Sequence, residues 1–111
     1  MKQIQNLNEL KEYINTGLPV LIYFSGENCS VCKDLQPKIQ NKISENFDKM
    51  KIYEVQSELH KEIASHFTVF SIPTTLVFFD KKEFMRVGRN MSLANFINKI
   101  QRVYKIFYNE K

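Results

Sequence analysis

The only two cysteines of the chain, Cys29 and Cys32, are separated by Ser30 and Val31. In a chain of 111 residues, two cysteines placed at random would have this spacing only about 2% of the time. A thiol pair so spaced can alternate between dithiol and disulfide, and its first thiolate can attack the disulfide of another molecule. The cysteine pair therefore predicts thiol–disulfide exchange, with the two sulfurs themselves carrying the electrons and no bound cofactor.

Two other interpretations of the pair are less favoured. A disulfide across so short a loop would restrict the unfolded chain by about 1.9 kcal/mol, against about 4.7 kcal/mol for a hundred-residue loop. A zinc site would also require His60 and His66, which are six residues apart on a predicted helix and therefore do not share a face. The gap after Cys32 is also unlike that of a compact zinc finger. We predict no metal site.

The composition predicts one globular domain over residues 1–111. Hydrophobic residues make up 43% of the chain and include nine Phe and five Tyr, which argues against disorder. Two cysteines are too few for a disulfide-rich secreted scaffold. The longest apolar runs, Val20–Phe24 and Leu76–Phe79, are too short to cross a bilayer, so we expect no membrane span.

The charge pattern argues against a nucleic-acid partner. The net charge of +4 comes from 16 basic and 12 acidic residues, and acids interrupt the basic clusters, as in His60-Lys61-Glu62. Such mixing is typical of a solvated surface.

The N-terminal residues Met1–Asn6 lack the apolar core of a signal peptide. We expect a cytoplasmic monomer whose cysteines are thiols by default.

The elements that must position the cysteines follow the order β-α-β-α-β-α-β-β-α. Val20–Phe24 is apolar on both faces, as a central strand between helices must be, and a helix containing Pro37 is predicted over Ser30–Phe47. Cys29 therefore falls at a helix N-terminus, where N–H groups and the helix dipole stabilise a thiolate. The remaining predicted elements are strands at Lys2–Gln5, Lys51–Val55, Thr74–Phe79 and Glu83–Val87, and helices at Leu7–Ile14, Leu59–Phe67 and Leu93–Phe107.

This order predicts an α/β fold with a mixed sheet between helices. The strands of the first half must be parallel, because helices connect them by right-handed crossovers. Asp80-Lys81-Lys82 is predicted to turn the last two strands into an antiparallel hairpin. Ser92 is the predicted N-cap of the final helix.

Four segments resemble the thioredoxin family. They are the active-site segment Phe24–Lys33, the helix proline Pro37, the cis-proline loop Ile72-Pro73-Thr74, and Val87-Gly88 after the final strand. The resemblance extends roughly from Ile4 to Tyr104. It implies the thioredoxin fold and a thiol–disulfide oxidoreductase that reduces protein disulfides through a Cys29–Cys32 cycle.

The resemblance also implies roles for other residues and for partners. The backbone of Ile72 would pair with an extended substrate segment, beside a cis Pro73 and Gly88. The residues alone leave open an ordinary trans Pro73 that opens an edge strand. Electrons would come from NADPH through a separate thioredoxin reductase. The chain itself has no Gly-rich dinucleotide fingerprint, so we expect it to bind no nicotinamide.

Several positions depart from the family pattern. Ser30-Val31 replaces Gly-Pro, Asn28 replaces an aromatic residue, and the chain has no Trp. Tyr23 stands in place of the buried acid, and Glu54 in place of its lysine neighbour. We therefore hypothesise that Glu54 or a water takes the proton of Cys32, since Tyr23 is a poor base near pH 7. The alternative is that Glu54 faces solvent or pairs with a lysine.

A second function stays open at this point. A thioredoxin-fold binding or scaffold module could use the groove near Ile72 and Gly88 without turnover. The missing Trp and Gly-Pro favour that interpretation slightly, whereas the cysteine pair opposes it. Tyr104–Tyr108 extends beyond the usual end of the final helix and is predicted to pack on the domain; otherwise it would offer a small apolar contact surface.

Overall fold

Five strands and four helices alternate along residues 1–109, the part of the chain that the computed structural model describes. The order is the predicted one. The strands are β1 (Lys2–Gln3), β2 (Val20–Ser25), β3 (Lys51–Gln56), β4 (Thr74–Phe79) and β5 (Lys82–Val87). The helices are α1 (Leu7–Asn15), α2 (Ser30–Asn46), α3 (Lys61–His66) and α4 (Leu93–Asn109).

The strands form one mixed sheet in the order β1-β3-β2-β4-β5. The β1–β3 and β2–β3 pairs are parallel, whereas β4 is antiparallel to both β2 and β5. The predicted combination of parallel strands and a final hairpin is thus confirmed. Asp80 and Lys81 both have positive φ, 54° and 70°, as a two-residue turn that matches the twist of the hairpin requires.

The sheet separates two hydrophobic layers, and β2 contributes to both because alternate side chains point to opposite faces. Ile22 and Phe24 pack with residues of α1 and α3. Leu21 and Tyr23 pack on the other face with the helical stripe Ile39 and Ile43 of α2 and with residues of α4. Burial on both faces of β2 is as predicted, and it holds the segment that leads to Cys29.

Two elements are shorter than predicted by two or more residues. The third helix begins at Lys61, not Leu59, because the N–H groups of Leu59 and His60 both donate to the carbonyl of Gln56 and close a turn there. Leu59 is consequently 75% exposed. β1 ends at Gln3, not Gln5, because the Gln5 N–H donates to the Glu9 carboxylate (2.8 Å) as α1 begins. In both cases the predicted element included residues whose backbone N–H groups make a local hydrogen bond outside it.

The extension at the end of α4 packs on the domain, as predicted. The ring of Tyr104 lies 4.9 Å from that of Phe47, and the ring of Phe107 lies 5.8 Å from that of Phe79. Ile106 points outward and is exposed.

No helix within residues 1–109 combines the length and the apolar character needed to cross a membrane.

A charged clamp joins β5 to the end of α3. The Arg86 guanidinium donates to the Glu83 carboxylate (2.7 and 2.9 Å) and to the carbonyls of Phe67 and Thr68 (2.9 and 3.0 Å). The hydrogen bonds from Arg86 to the carboxylate lower the pKa of Glu83. Because the pKa is lower in the folded than in the unfolded state, the stabilisation is present above the ordinary Glu value and is lost as pH falls through the folded value.

We expect Glu83→Gln to reduce the free energy of unfolding by less than about 1 kcal/mol at pH 7, because the pair is partly exposed. The difference from the wild type should shrink as the pH falls below about 4.3. Urea unfolding at several pH values measures it. Glu45→Gln, an exposed α2 residue without an ion-pair partner in residues 1–109, is the control. A Glu83 effect that is the same at pH 7 and pH 3 would contradict the assignment.

Candidate redox site

Cys29 and Cys32 are joined by a disulfide at the N-terminus of α2, with their Cα atoms 5.2 Å apart. Cys29 is the N-cap of the helix, and its Sγ accepts a hydrogen bond from the Cys32 N–H (3.2 Å). The predicted position of Cys29 at the helix start is therefore confirmed. The same N–H would stabilise a thiolate on Cys29 after reduction of the disulfide.

The two sulfurs differ in access. Cys29 is half-buried, whereas Cys32 is 1% exposed. An incoming disulfide can therefore approach Cys29, and Cys32 lies behind it within reach of the same sulfur. This asymmetry is what a nucleophile and a resolving thiol require.

The loop before β4 lies beside the segment that leads to Cys29. The antiparallel register pairs Phe24 with Thr74, so the residues just outside the pair, Ile72-Pro73 and Ser25-Gly26, meet at one edge of the sheet. The Ile72–Pro73 peptide bond is cis, and Pro73 is buried. Thr74 Oγ1 donates to the carbonyl of Ser71 (2.7 Å) and braces the loop.

Gly26 allows this close approach. A Cβ atom at Gly26 would lie 2.6 Å from Cδ1 of Ile72, closer than real Cβ contacts. A larger residue would push the Ile72 side chain away from the segment before Cys29. Ile72 is therefore held directly against the active-site loop.

Gly88 and Arg89 complete this edge. Val87 pairs with Thr75, which brings the residues after β5 alongside the cis-proline loop. Gly88 is exposed, and a Cβ there would meet no atom of residues 1–109 within 4 Å. Arg89 Nη2 donates a hydrogen bond to the carbonyl of Ile72 (3.0 Å). Arg89 was not among the residues predicted from the sequence, although its position directly after Gly88 is a signal that could have identified it.

A polar cluster lies beneath the disulfide. Tyr23 donates its hydroxyl to the carbonyl of Cys32 (2.7 Å). Burial raises the pKa of Tyr23 well above its ordinary value, and the charge of Glu54 adds to the rise. Tyr23 is therefore a hydrogen-bond donor that stays protonated, which agrees with the expectation that it is a poor base.

Glu54 is half-buried and hydrogen-bonded. Its carboxylate accepts from Ser25 Oγ (2.7 Å) and from Gln3 Nε2 (2.6 Å). A lysine-paired Glu54 is wrong, because no lysine within residues 1–109 lies within salt-bridge distance of it; the residue stays partly exposed to solvent. Ser25 was missed as its partner, although its position two residues after Tyr23 on the same sheet face pointed to it.

Glu54 and Cys32 line the same small cavity of about 280 Å³. Ser25, the hydrogen-bond donor to Glu54, lines it as well. The cavity is large enough for several waters. Cys32 and a carboxylate therefore border the same space.

The histidines do not join the cysteines. His60 is the N-cap of α3 and His66 is its last residue. Among residues 1–109, no three His, Cys, Asp or Glu side chains come together as a metal ion would require. The disulfide and its polar surroundings thus form the chemical site.

A cysteine pair at the start of α2, facing a cis-proline loop in this mixed sheet, defines a thioredoxin-fold thiol–disulfide oxidoreductase. The family model described as Thioredoxin matches residues 2–102, and the chain belongs to the thioredoxin family. The scaffold interpretation is not favoured, because the family and the close cysteine pair both support redox exchange.

Individual relatives agree with the family assignment. The chain is 27% identical over 110 residues to the thioredoxin-like protein YdfQ of Bacillus subtilis, covering 99% of this chain and 97% of that protein. It is 33% identical over 92 residues to the thioredoxin of Rickettsia felis, covering 80% and 88% of the two chains.

Solved thioredoxins share the fold. The Plasmodium falciparum thioredoxin superposes with a TM-score of 0.80 at 24% identity, covering 89% of this chain and 98% of that one. The Trypanosoma brucei brucei thioredoxin gives a TM-score of 0.81 at 20% identity, covering 93% and 89%. The predicted thioredoxin fold is confirmed.

Proposed function

We propose that this oxidoreductase reduces disulfide bonds in other proteins. The observation that carries the proposal is the asymmetry of the cysteine pair: one sulfur can be approached from outside, and the other is buried behind it. A partner disulfide can then be attacked at Cys29 only, and the resulting intermediate can be resolved from within.

The first step begins from the reduced pair. The Cys29 thiolate attacks one sulfur of the partner disulfide; the partner S–S bond breaks, a mixed disulfide with Cys29 forms, and the other partner sulfur leaves as a thiolate. The Cys32 N–H that points at Cys29 Sγ stabilises the attacking anion. Ile72, Pro73 and Gly88 form the proposed groove for the partner segment.

The second step uses Cys32. Its thiolate attacks Cys29 Sγ, the bond from Cys29 to the partner breaks, and the second partner sulfur leaves as a thiolate. Two electrons have then passed to the partner, and the Cys29–Cys32 disulfide has formed. Cys32 must first lose its proton, and we assign Glu54 as the acceptor through water in the shared cavity.

Repeated turnover requires a source of two electrons. A thioredoxin reductase drawing on NADPH would restore the dithiol, so that the cysteine couple itself acts as the carrier. We propose that the protein works as a monomer in the cytoplasm, where a reducing environment keeps such a pair available. This transfer of electrons can be tested by measuring the consumption of NADPH. The consumption should require this protein, a reductase and a disulfide substrate together.

Insulin reduction tests the proposed function directly. The wild-type protein should accelerate the precipitation of insulin B chain by dithiothreitol, and the rate should rise with protein concentration. If the wild type gives only the rate of dithiothreitol alone, the proposed reductase activity is wrong.

We expect Glu54→Gln to slow resolution of the mixed disulfide by about a hundredfold near pH 7, because a positioned base contributes about that much. The first attack by Cys29 should be unchanged. Rapid-quench mass spectrometry of the mixed disulfide between pH 6 and 9 separates the two steps. Glu27→Gln removes an acid that lines the same cavity and serves as the control. A resolution rate that Glu54→Gln leaves unchanged across this range would exclude the role.

A further inference from the structure

We propose that Arg89 is a specificity-determining residue that favours disulfide partners with a carboxylate next to the attacked cysteine. It would do so by exchanging its hydrogen bond to Ile72 for an ion pair with the partner. The inference rests on the proposed function, since it concerns which disulfides the Cys29–Cys32 pair attacks.

Arg89 is a cation whose only hydrogen bond within residues 1–109 goes to a neutral acceptor. Its guanidinium donates to the carbonyl of Ile72 (3.0 Å) and forms no ion pair within those residues. Arg86, three residues earlier, instead donates to the Glu83 carboxylate and to two carbonyls. Arg89 is exposed and lies next to the open space at Gly88, so its side chain has room to move away from Ile72.

The carbonyl that Arg89 occupies is one that an approaching chain would use. Ile72 precedes β4, packs against Gly26 in the loop leading to Cys29, and its N–H makes no hydrogen bond within residues 1–109. An extended segment can pair with this stretch of backbone by donating to the carbonyl and accepting from the N–H. Arg89 therefore competes with the partner for the Ile72 carbonyl.

The chemistry of the partner decides whether this exchange is favourable. A neutral segment replaces the Arg89 hydrogen bond with its own and leaves the guanidinium in water. A segment with a carboxylate within reach of Arg89 adds a charge-assisted, bidentate pair. At an exposed site such a pair increases the reaction rate by about three- to fivefold.

The preference should depend on the side of the attacked cysteine. The Glu58 carboxylate lies 3.4 Å from the position of a Cβ at Gly26, so it borders the same loop with the opposite charge. A partner carboxylate near Glu58 would be repelled, whereas one near Arg89 would be bound. We therefore expect only one of the two flanks to prefer an acid.

Three fluorescence-quenched disulfide peptides test the inference. They differ only in having Glu two residues before the attacked cysteine, Glu two residues after it, or Gln at both positions. The reduced wild type should react with one Glu peptide three- to fivefold faster than with the Gln peptide. Arg89→Gln should lose this preference and react with the Gln peptide at least as fast as the wild type does. Arg89→Lys should keep part of the preference.

Arg102→Gln, which removes the same charge from an exposed position of α4, should behave as the wild type. The inference is overturned if neither Glu peptide is preferred or if the preference survives Arg89→Gln. If the wild type reacts with no peptide, the proposed function fails instead. Fluorescence anisotropy of the same peptides with serine in place of cysteine then still measures whether Arg89→Gln removes the binding preference.

Discussion

The Cys29→Ser variant is expected to reduce insulin no faster than dithiothreitol alone, a loss of at least about a thousandfold relative to the wild type. A serine hydroxyl cannot form the mixed disulfide that begins the reaction. Cys32 cannot replace it, because that side chain is almost fully buried beneath the loop. The initial rate of insulin precipitation measures the effect.

The fold should survive this change. Cys29 is the N-cap of α2 and accepts the Cys32 N–H, and serine is among the preferred N-cap residues. We expect the circular dichroism of Cys29→Ser to match that of the reduced wild type. Activity retained by a correctly folded Cys29→Ser protein would show that another group begins the exchange, and the assignment of Cys29 would be wrong.

The Cys32→Ser variant is expected to accumulate as a stable mixed disulfide between Cys29 and its partner. In the wild type, Cys32 is held with its Cα 5.2 Å from that of Cys29, so its attack is intramolecular. Well-oriented intramolecular reactions can reach effective concentrations of about 10⁵ M or more. Millimolar external thiol cannot match this, and the lifetime of the mixed disulfide should increase by at least about a thousandfold.

Mass spectrometry under non-reducing conditions should detect the adduct of Cys32→Ser with a disulfide peptide. The double variant Cys29→Ser/Cys32→Ser should form none, which controls for noncovalent association. A Cys32→Ser adduct that decays as fast as that of the wild type would mean that external thiol, not Cys32, completes the reaction.

Two residues that depart from the family pattern, Tyr23 and Glu54, lie close to Cys32. Tyr23 replaces a buried acid and donates to the Cys32 carbonyl, so it fixes the start of α2 but takes no proton. Glu54 lies on the neighbouring strand in register with Tyr23 and has Ser25 as a hydrogen-bond donor. The carboxylate near Cys32 is therefore on β3, the strand next to β2, and it lines the same cavity as Cys32.

Local sequence patterns were enough to predict most of the strands, helices and turns. The two-sided apolar run of β2, the four-residue periodicity of α2 and the turn at Asp80 each depend on near neighbours in the chain. These interactions form within a few residues, so their spacing is visible in the sequence. The same patterns failed at Leu59, where backbone hydrogen bonds to Gln56 decided the start of α3.

The contacts around the disulfide could not be predicted from local patterns. Ser25 and Glu54 are 29 residues apart, and Arg89 and Ile72 are 17 apart, and only the sheet register brings each pair together. A sequence shows which residues can donate or accept, but not which of many distant partners they meet.

The sequence by itself therefore determined the reactive pair and its position at the start of a helix, because the apolar run of β2 and the periodic pattern of α2 lie on either side of Cys29. Only the tertiary structure decided that Ser25 donates to Glu54 at the cavity of Cys32 and that Arg89 donates to the Ile72 carbonyl. Those features depend on how β2, β3, β4 and β5 align side by side, and strand alignment is set by packing across the whole sheet.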